Sequence, residues 1–305
     1  FFLWAAHSDP HRGYQKNTID SPHQPRDVIV PEFLPDTPKV REDLALYYDE
    51  VSRFDEHIGE VLKELQNQGV RDNTLVMVIS DNGRPFPHCK TRVTVPGVRT
   101  PMIVNWPAQI TTGQASSALI STVDIAPTLV ELTGREIPAG FQGVSFAHLL
   151  SGKGKSARQF AFAEHNWHDY RAFERAVHTE DYCYVRNWLP NTPGTPPADA
   201  VKSVTFQEMK RLLAAGQLND VQAECFASPR PTELLFDVNA DPNCVKNLVS
   251  DPMHQDELNR LRDALQQWQQ QTSDRFAGEQ SISPDGFDRD TGNRIINAKH
   301  PSLTD

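Results

Sequence analysis

Leu75-Val76-Met77-Val78-Ile79-Ser80-Asp81-Asn82-Gly83-Arg84-Pro85-Phe86-Pro87-His88-Cys89-Lys90 is the stretch around which the rest of the chain is placed. Its first five residues are apolar without interruption and rich in β-branched side chains, the pattern of a strand buried on both faces. The run stops at Ser80-Asp81-Asn82-Gly83. Ligands of open α/β sheets gather just beyond the carboxyl ends of strands, so chemistry is expected there. Asp81 offers carboxylate oxygens and Asn82 an amide oxygen, hard donors that suit Ca²⁺ or Mg²⁺ and not zinc. Gly83 lets the backbone turn sharply away, and Lys90 returns a cation to the same neighbourhood. Asp-Asn-Gly is also an ordinary turn tripeptide, so its companions elsewhere must decide between the two readings.

Upstream, Leu44, Tyr47, Tyr48, Val51, Phe54, Ile58, Val61, Leu62 and Leu65 recur at spacings of three and four. This predicts a core-packing helix over 41–68, ended by Gly69 and leading into the strand at Leu75. Phe1 to Ala6 reads as a second buried strand, followed by Ala6-His7-Ser8-Asp9-Pro10-His11-Arg12. Pro10 holds the backbone and orients His11, which is either a site residue or an ordinary hydrogen-bonded histidine. Residues 13–39 are a long polar loop of the kind that covers active sites. Downstream, Met102 to Trp106 reads as a short strand. Thr122 to Leu132 reads as a helix with Asp124 in its first turn and Gly134 past its end.

Composition changes near Ser151-Gly152-Lys153-Gly154-Lys155-Ser156, a polar linker that separates an expected first domain, 1–150, from a smaller one, 151–272. In the second, Phe160 to Ala163, Arg175 to His178, Tyr182 to Asn187 and Glu233 to Asp237 predict an antiparallel sheet, and Leu258 to Trp268 a helix. Residues 273–305 are expected to be a loose polar tail. The fold class predicted is α/β, with a small C-terminal α+β subdomain.

With 305 residues the chain can bury a large core, and 38% hydrophobic and 23% charged residues describe a soluble globular protein. The net charge of −10 argues against nucleic-acid partners, while leaving room for an anionic substrate in a locally basic pocket. No apolar run approaches the ~20 residues of a membrane span. Phe1-Phe2-Leu3-Trp4-Ala5-Ala6 is too short for the core of a signal peptide; read as a core strand, it predicts that residues precede it. Cys89, Cys183, Cys225 and Cys244 show no zinc spacing, and one or two disulfides are compatible with their number.

Several of these segments together resemble the sulfatase family of the alkaline phosphatase superfamily, and within it the sulfamidase branch, the heparan N-sulfatases. The resemblance runs through Phe1 to Arg12, the helix after Asp43, Ser80 to Pro87, Val123-Asp124-Ile125-Ala126-Pro127-Thr128, Leu235-Phe236-Asp237, Asp241-Pro242 and Asn247-Leu248. It implies an alkaline-phosphatase-like mixed sheet between helices, present in part. It also implies a Ca²⁺-dependent hydrolase of a sulfate ester or sulfamate on a glycosaminoglycan-type sugar, with Mg²⁺ as the other cation the donors suit.

By the same resemblance Asp81 and Asn82 match half of the family's calcium site, and Lys90 the cation that grips sulfate, where a sulfamidase has arginine. His11 matches the histidine that contacts sulfate and assists the leaving group. His165 and His168 fall in a region that faces the sugar, with Arg171 and Arg175 as binders of carboxylate or sulfate; a solvated polar loop is the alternative for all four. The formylglycine nucleophile is expected on a segment upstream of this chain, since none of the four cysteines has proline two and arginine four residues onward. The chain therefore looks like the C-terminal portion of a sulfatase, with that upstream segment as its partner. The family suggests a periplasmic, secreted or lysosomal setting. Two alternatives stand beside it: a catalytically incomplete protein that binds sulfated glycan, and a phosphodiesterase of the same superfamily. The latter usually needs two transition metals and an Asp-His pair where this chain has Asp81-Asn82.

Overall fold

A computed structural model describes residues 1–110, 113–152 and 154–295. Lys153, in the expected linker, and residues 296–305 of the expected tail lie outside them. The architecture is α/β. Helix α1, Pro38–Asn67, starts where the Thr37 side chain accepts the Val40 amide and Pro38 supplies a preset φ. Gly69, at φ 67°, turns the chain out of it. Its run then enters β1, Val76–Ile79, which pairs antiparallel with β2, Met102–Asn105, in the register Val76↔Asn105 to Ile79↔Met102.

Two expectations change here. Residues 1–7 form no strand, and Phe1 to Trp4 are exposed. The β1 side chains are half-buried, not sealed on both faces. The reason is pairing: among the described residues β1 has β2 as its only ladder partner, and a lone hairpin cannot cover its own faces. These apolar segments, with the outer face of α1 (Phe54, Ile58, Leu62), line an open trough of about 1600 Å³.

Short helix α2, Val95–Val98, precedes β2; α3, Ile125–Leu132, and α4, Ala147–Leu150, follow it. Ser121 and Asp124 cap the start of this region reciprocally, and Arg158 closes on the buried Asp124 carboxylate.

The second part is a four-stranded antiparallel sheet in sequence order: β3 Ala161–Trp167, β4 Arg171–His178, β5 Tyr182–Asn187 and β6 Glu233–Asp237. Residues 164–171, which lie between the first two expected strands, are mostly the continuation of β3 and the start of β4. Between β5 and β6 lie α5, Ala198–Val201, α6, Val204–Ala214, and α7, Asp220–Ala223; α8 is Gln255–Thr272.

Alternation along β4 decides what each face meets. Val177 joins Tyr184, Leu235 and the Leu258, Leu261 and Leu265 stripe of α8, each buried side chain contributing about 1.5–3 kcal/mol. Ala176 faces the other way, with Val93, Cys183 and Cys244. That second face lies against the loop after Lys90, where His178 Nε2 meets the Val93 carbonyl at 2.9 Å. A third cluster joins the first half of α1 to α6 through Val40, Leu44, Phe206 and Met209. All four cysteines are buried free thiols.

The expected loose tail is fastened over its described part. Asp274 pairs with Arg175, the Pro284 carbonyl accepts the Trp167 indole, Asp285 accepts the Arg171 amide, and Phe287 bridges to Arg294.

Candidate functional site

The turn after β1 is built around Gly83. Its amide donates to the Gly97 carbonyl at 2.8 Å, and a Cβ there would stand 1.9 Å from the Pro96 carbonyl oxygen, so no side chain fits. Asp81 is exposed at the trough; its Oδ1 accepts the Asn82 amide at 2.9 Å. Asn82 donates its side-chain amide to the Gly83 carbonyl at 2.8 Å, which leaves the side-chain oxygen as the atom a cation would meet. Their chemistry fits a hard dication. No group of three or more His, Cys, Asp or Glu that could hold a metal occurs among the described residues, so the pair fits as part of a shell of roughly six to eight oxygens.

Lys90 follows from the same turn. Its backbone amide donates to Arg84, while Phe86 and Cys89 are buried beneath it. It is flanked by His88 and Thr91, both at positive φ (71° and 70°), a conformation costing about 1 kcal/mol or more outside glycine. His88 is held there by Phe33 stacking at 4.7 Å and by the Asn243 carbonyl at 2.7 Å. The local backbone is thus forced into a shape that brings a buried lysine back to the trough.

His11 is presented by its two neighbours. Arg53 pairs with Asp9 through two bonds, at 2.7 and 2.6 Å. Arg12 makes two bonds of 3.0 Å to Asp43, whose Oδ2 also accepts the Thr205 hydroxyl, and its guanidinium stacks on Phe86 at 4.4 Å. With both sides clamped to α1, the exposed His11 ring faces the trough. Its Nε2 and Lys90 Nζ each lie 3.5 Å from the same oxygen, Oδ2 of Asp199 on α5. The structure therefore brings His11, Lys90, Asp81 and Asn82 to one trough, with Asp199 against both His11 and Lys90.

His165, His168 and Arg171 line a separate cavity of about 20 Å³, room for one water-sized group, together with Arg92, Asp169, Glu174, Arg230 and Arg289. Burial pushes the His165 imidazole down to about 4, and its Nε2, like Nε of Arg171, has no hydrogen-bond partner among the described residues. Burial also pushes the Glu174 carboxyl up, but Arg230 at 2.6 Å and Arg92 at 4.0 Å outweigh it and hold the group at about 2. Glu224, raised by burial and lowered by Arg92 and His88, is likewise held at about 2. His168 is exposed and pairs with Asp169 at 3.1 Å. Asp169 in turn accepts the Ala198 amide at 2.7 Å and so anchors the start of α5.

Arg175 is not among these residues. It points with Phe173 to the opposite face of β4, nearly sealed, in two bonds to Asp274 and one to the Glu174 carbonyl. Strand alternation separates it from Glu174.

Sequence reasoning missed Asp199, which sits in a proline-rich stretch without motif character, and the Arg92, Glu174, Arg230 and Glu224 network, whose members lie far apart in the chain. It also passed over Ser8-Asp9-Pro10-His11-Arg12, which has the Ser-x-Pro-x-Arg spacing sought only from cysteines. In the fold these residues make the clamped turn that presents His11, with the Ser8 carbonyl accepting the His11 amide at 2.7 Å.

Comparison with known proteins adds to this geometry. The profile of the sulfatase family matches residues 1–135, and that of the N-sulphoglucosamine sulphohydrolase C-terminal region matches 90–193. An ulvan-active sulfatase of Formosa agariphila is 31% identical over 271 residues, covering 88% of this chain and 45% of the relative. Human N-sulphoglucosamine sulphohydrolase is 31% identical over 322 aligned positions, 94% of this chain and 63% of the relative. A solved structure in complex with its substrate D-glucosamine-2-N,6-O-disulfate superposes with a TM-score of 0.55 at 21% identity, covering 79% of this chain and 44% of that one. A 2-O GAG sulfatase gives 0.56 at 18% identity, over 82% and 50%. The chain spans about half the length of the first relative and under two thirds of the second.

Proposed function

This chain belongs to the sulfatase family, and on that premise we propose that it acts in a sulfuric ester or sulfamate hydrolase whose substrate is a sulfated sugar of glycosaminoglycan type. The observation that carries the reading is convergence. His11, from one clamped turn, and Lys90, from another, meet within 3.5 Å of one carboxylate, in the same trough as the Asp81-Asn82 oxygens.

Lys90 and His11 grip the sulfuryl oxygens, whose negative charge rises as the sulfur bond breaks, and fixed donors act most strongly on such developing charge. His11 gives its Nε2 proton to the departing amine or alkoxide, which is a poor leaving group without it. Asp81 and Asn82 would hold Ca²⁺, or Mg²⁺, through their side-chain oxygens, and such a dication would supply further positive charge beside the sulfuryl group, while a formylglycine would supply the nucleophile. His168, exposed beside the small cavity, is the group of the second part offered to the sugar; the space around His165 and Arg171 takes no more than a water-sized group. Asparagine at 82, where the superfamily's phosphodiesterases carry histidine, favours the single hard cation and the sulfatase reading over that rival.

Lys90→Ala in the native enzyme raises KM and lowers kcat together, because the amine touches sulfate throughout the reaction. Unchanged kinetics would remove Lys90 from the site and with it the convergence on which the proposal stands.

A further inference from the structure

Asp199 is an odd neighbour for two sulfate-gripping side chains, His11 and Lys90. Its negative charge stands 3.5 Å from each of them, where it opposes a bare sulfate dianion. It cannot swing aside: Oδ1 accepts the Ala200 amide at 2.7 Å, and the start of α5 is pinned by the Asp169 bond to Ala198. Its acceptor capacity is nonetheless underused. A carboxylate has about four lone-pair sites, and among the described residues Oδ2 makes only two ion-pair contacts, both at 3.5 Å, while the side chain keeps 23% of its surface open. A fixed, partly open acceptor beside the sulfate grip suits a ligand that carries a hydrogen-bond donor next to the sulfated atom.

We propose that Asp199 is a specificity-determining residue: it accepts a hydrogen bond from an N–H or O–H of the sugar adjacent to the sulfated position, and so selects a sulfated amino or hydroxylated sugar over free sulfate. This rests on the reading of His11 and Lys90 as the sulfate grip. Repulsion from Asp199 keeps inorganic sulfate weak, which also favours its release once formed. The sugar donor turns the same charge into an attraction.

The test is calorimetric titration of the native protein and of Asp199→Asn with three probes: inorganic sulfate, methyl sulfate, which has no neighbouring donor, and N-sulfoglucosamine. Asp199→Asn is expected to weaken N-sulfoglucosamine about tenfold and to tighten the other two severalfold. Equal weakening of all three overturns the proposal, since Asp199 would then merely hold His11 and Lys90 in place; so does no change in any. Asp199→Glu, which keeps the charge and moves the acceptor, carries the test should the asparagine variant fail to fold. It should leave free sulfate as weak as in the native protein and lose the sugar; native affinity for the sugar overturns the proposal. A folded native protein that binds none of the three probes refutes the sulfate grip itself and this inference with it.

Discussion

Glu174→Gln keeps the side-chain volume and removes the charge that two buried guanidiniums face. The Glu174 carboxyl is 3% exposed, 2.6 Å from Arg230 and 4.0 Å from Arg92. Although burial raises it, the two arginines hold its pKa at about 2 against an ordinary 4.5. That difference of about 2.5 pK units corresponds to about 3 kcal/mol of stability at neutral pH. The figure agrees with the ~3–5 kcal/mol typical of leaving a buried charge without its partner. The sign follows from the depressed pKa. The contribution is full above pH 4.5, where both folded and unfolded carboxylates are ionised, and is lost as pH falls toward 2. Urea unfolding at pH 7 should therefore show the variant about 3 kcal/mol less stable, and at pH 3 the gap should shrink to about half. A loss below about 1 kcal/mol at pH 7, or one that does not shrink in acid, would show that the arginines are satisfied without Glu174.

His178, buried with its Nε2 on the Val93 carbonyl, is pushed by burial down to about 4. It therefore favours the folded state fully above pH 6.5 and loses that support as pH falls toward 4, by up to about 3 kcal/mol; in His178→Gln the melting temperature should vary less over that window, and an unaltered pH profile would contradict the assignment. Gly83→Ala places a methyl 1.9 Å from the Pro96 carbonyl and must shift the turn carrying Asp81 and Asn82. It should lower both the unfolding midpoint and Ca²⁺ affinity, and native Ca²⁺ affinity in the variant would detach that turn from the metal. Ser8→Ala should leave kcat within about twofold, about 0.4 kcal/mol of barrier. Abolished turnover would make Ser8 the precursor of the nucleophile and overturn the expectation of an upstream segment.

The legible parts of this chain were those written in local pattern. The three- and four-residue spacing of α1 and the strands β5 and β6 were readable because each pattern is set by a single element's own period. The apolar run before Asp81 announced a strand but not its surroundings: half-burial of β1 depends on which strands lie beside it, and periodicity carries no such information. The same limit explains Arg175, which sequence placed with His165 and Arg171. One step along β4 separates Glu174, which lines the cavity opposite His165, from Arg175, sealed under Asp274. Asp199 was illegible for another reason. Its importance comes from the His11 turn, the Lys90 turn and the start of α5 meeting in space, and nothing in Pro196-Pro197-Ala198-Asp199-Ala200 signals such a meeting. Helix α6 was missed although Ser203 caps it and Phe206, Met209 and Leu212 mark its buried face.

Sulfate release from N-sulfoglucosamine and glucosamine 6-sulfate by the native protein isolated from its source, with and without a chelator, tests the central claim most directly. The account predicts release from at least one of the two, stopped by the chelator and restored by Ca²⁺. A folded native protein that binds Ca²⁺ yet frees no sulfate from either sugar would contradict it.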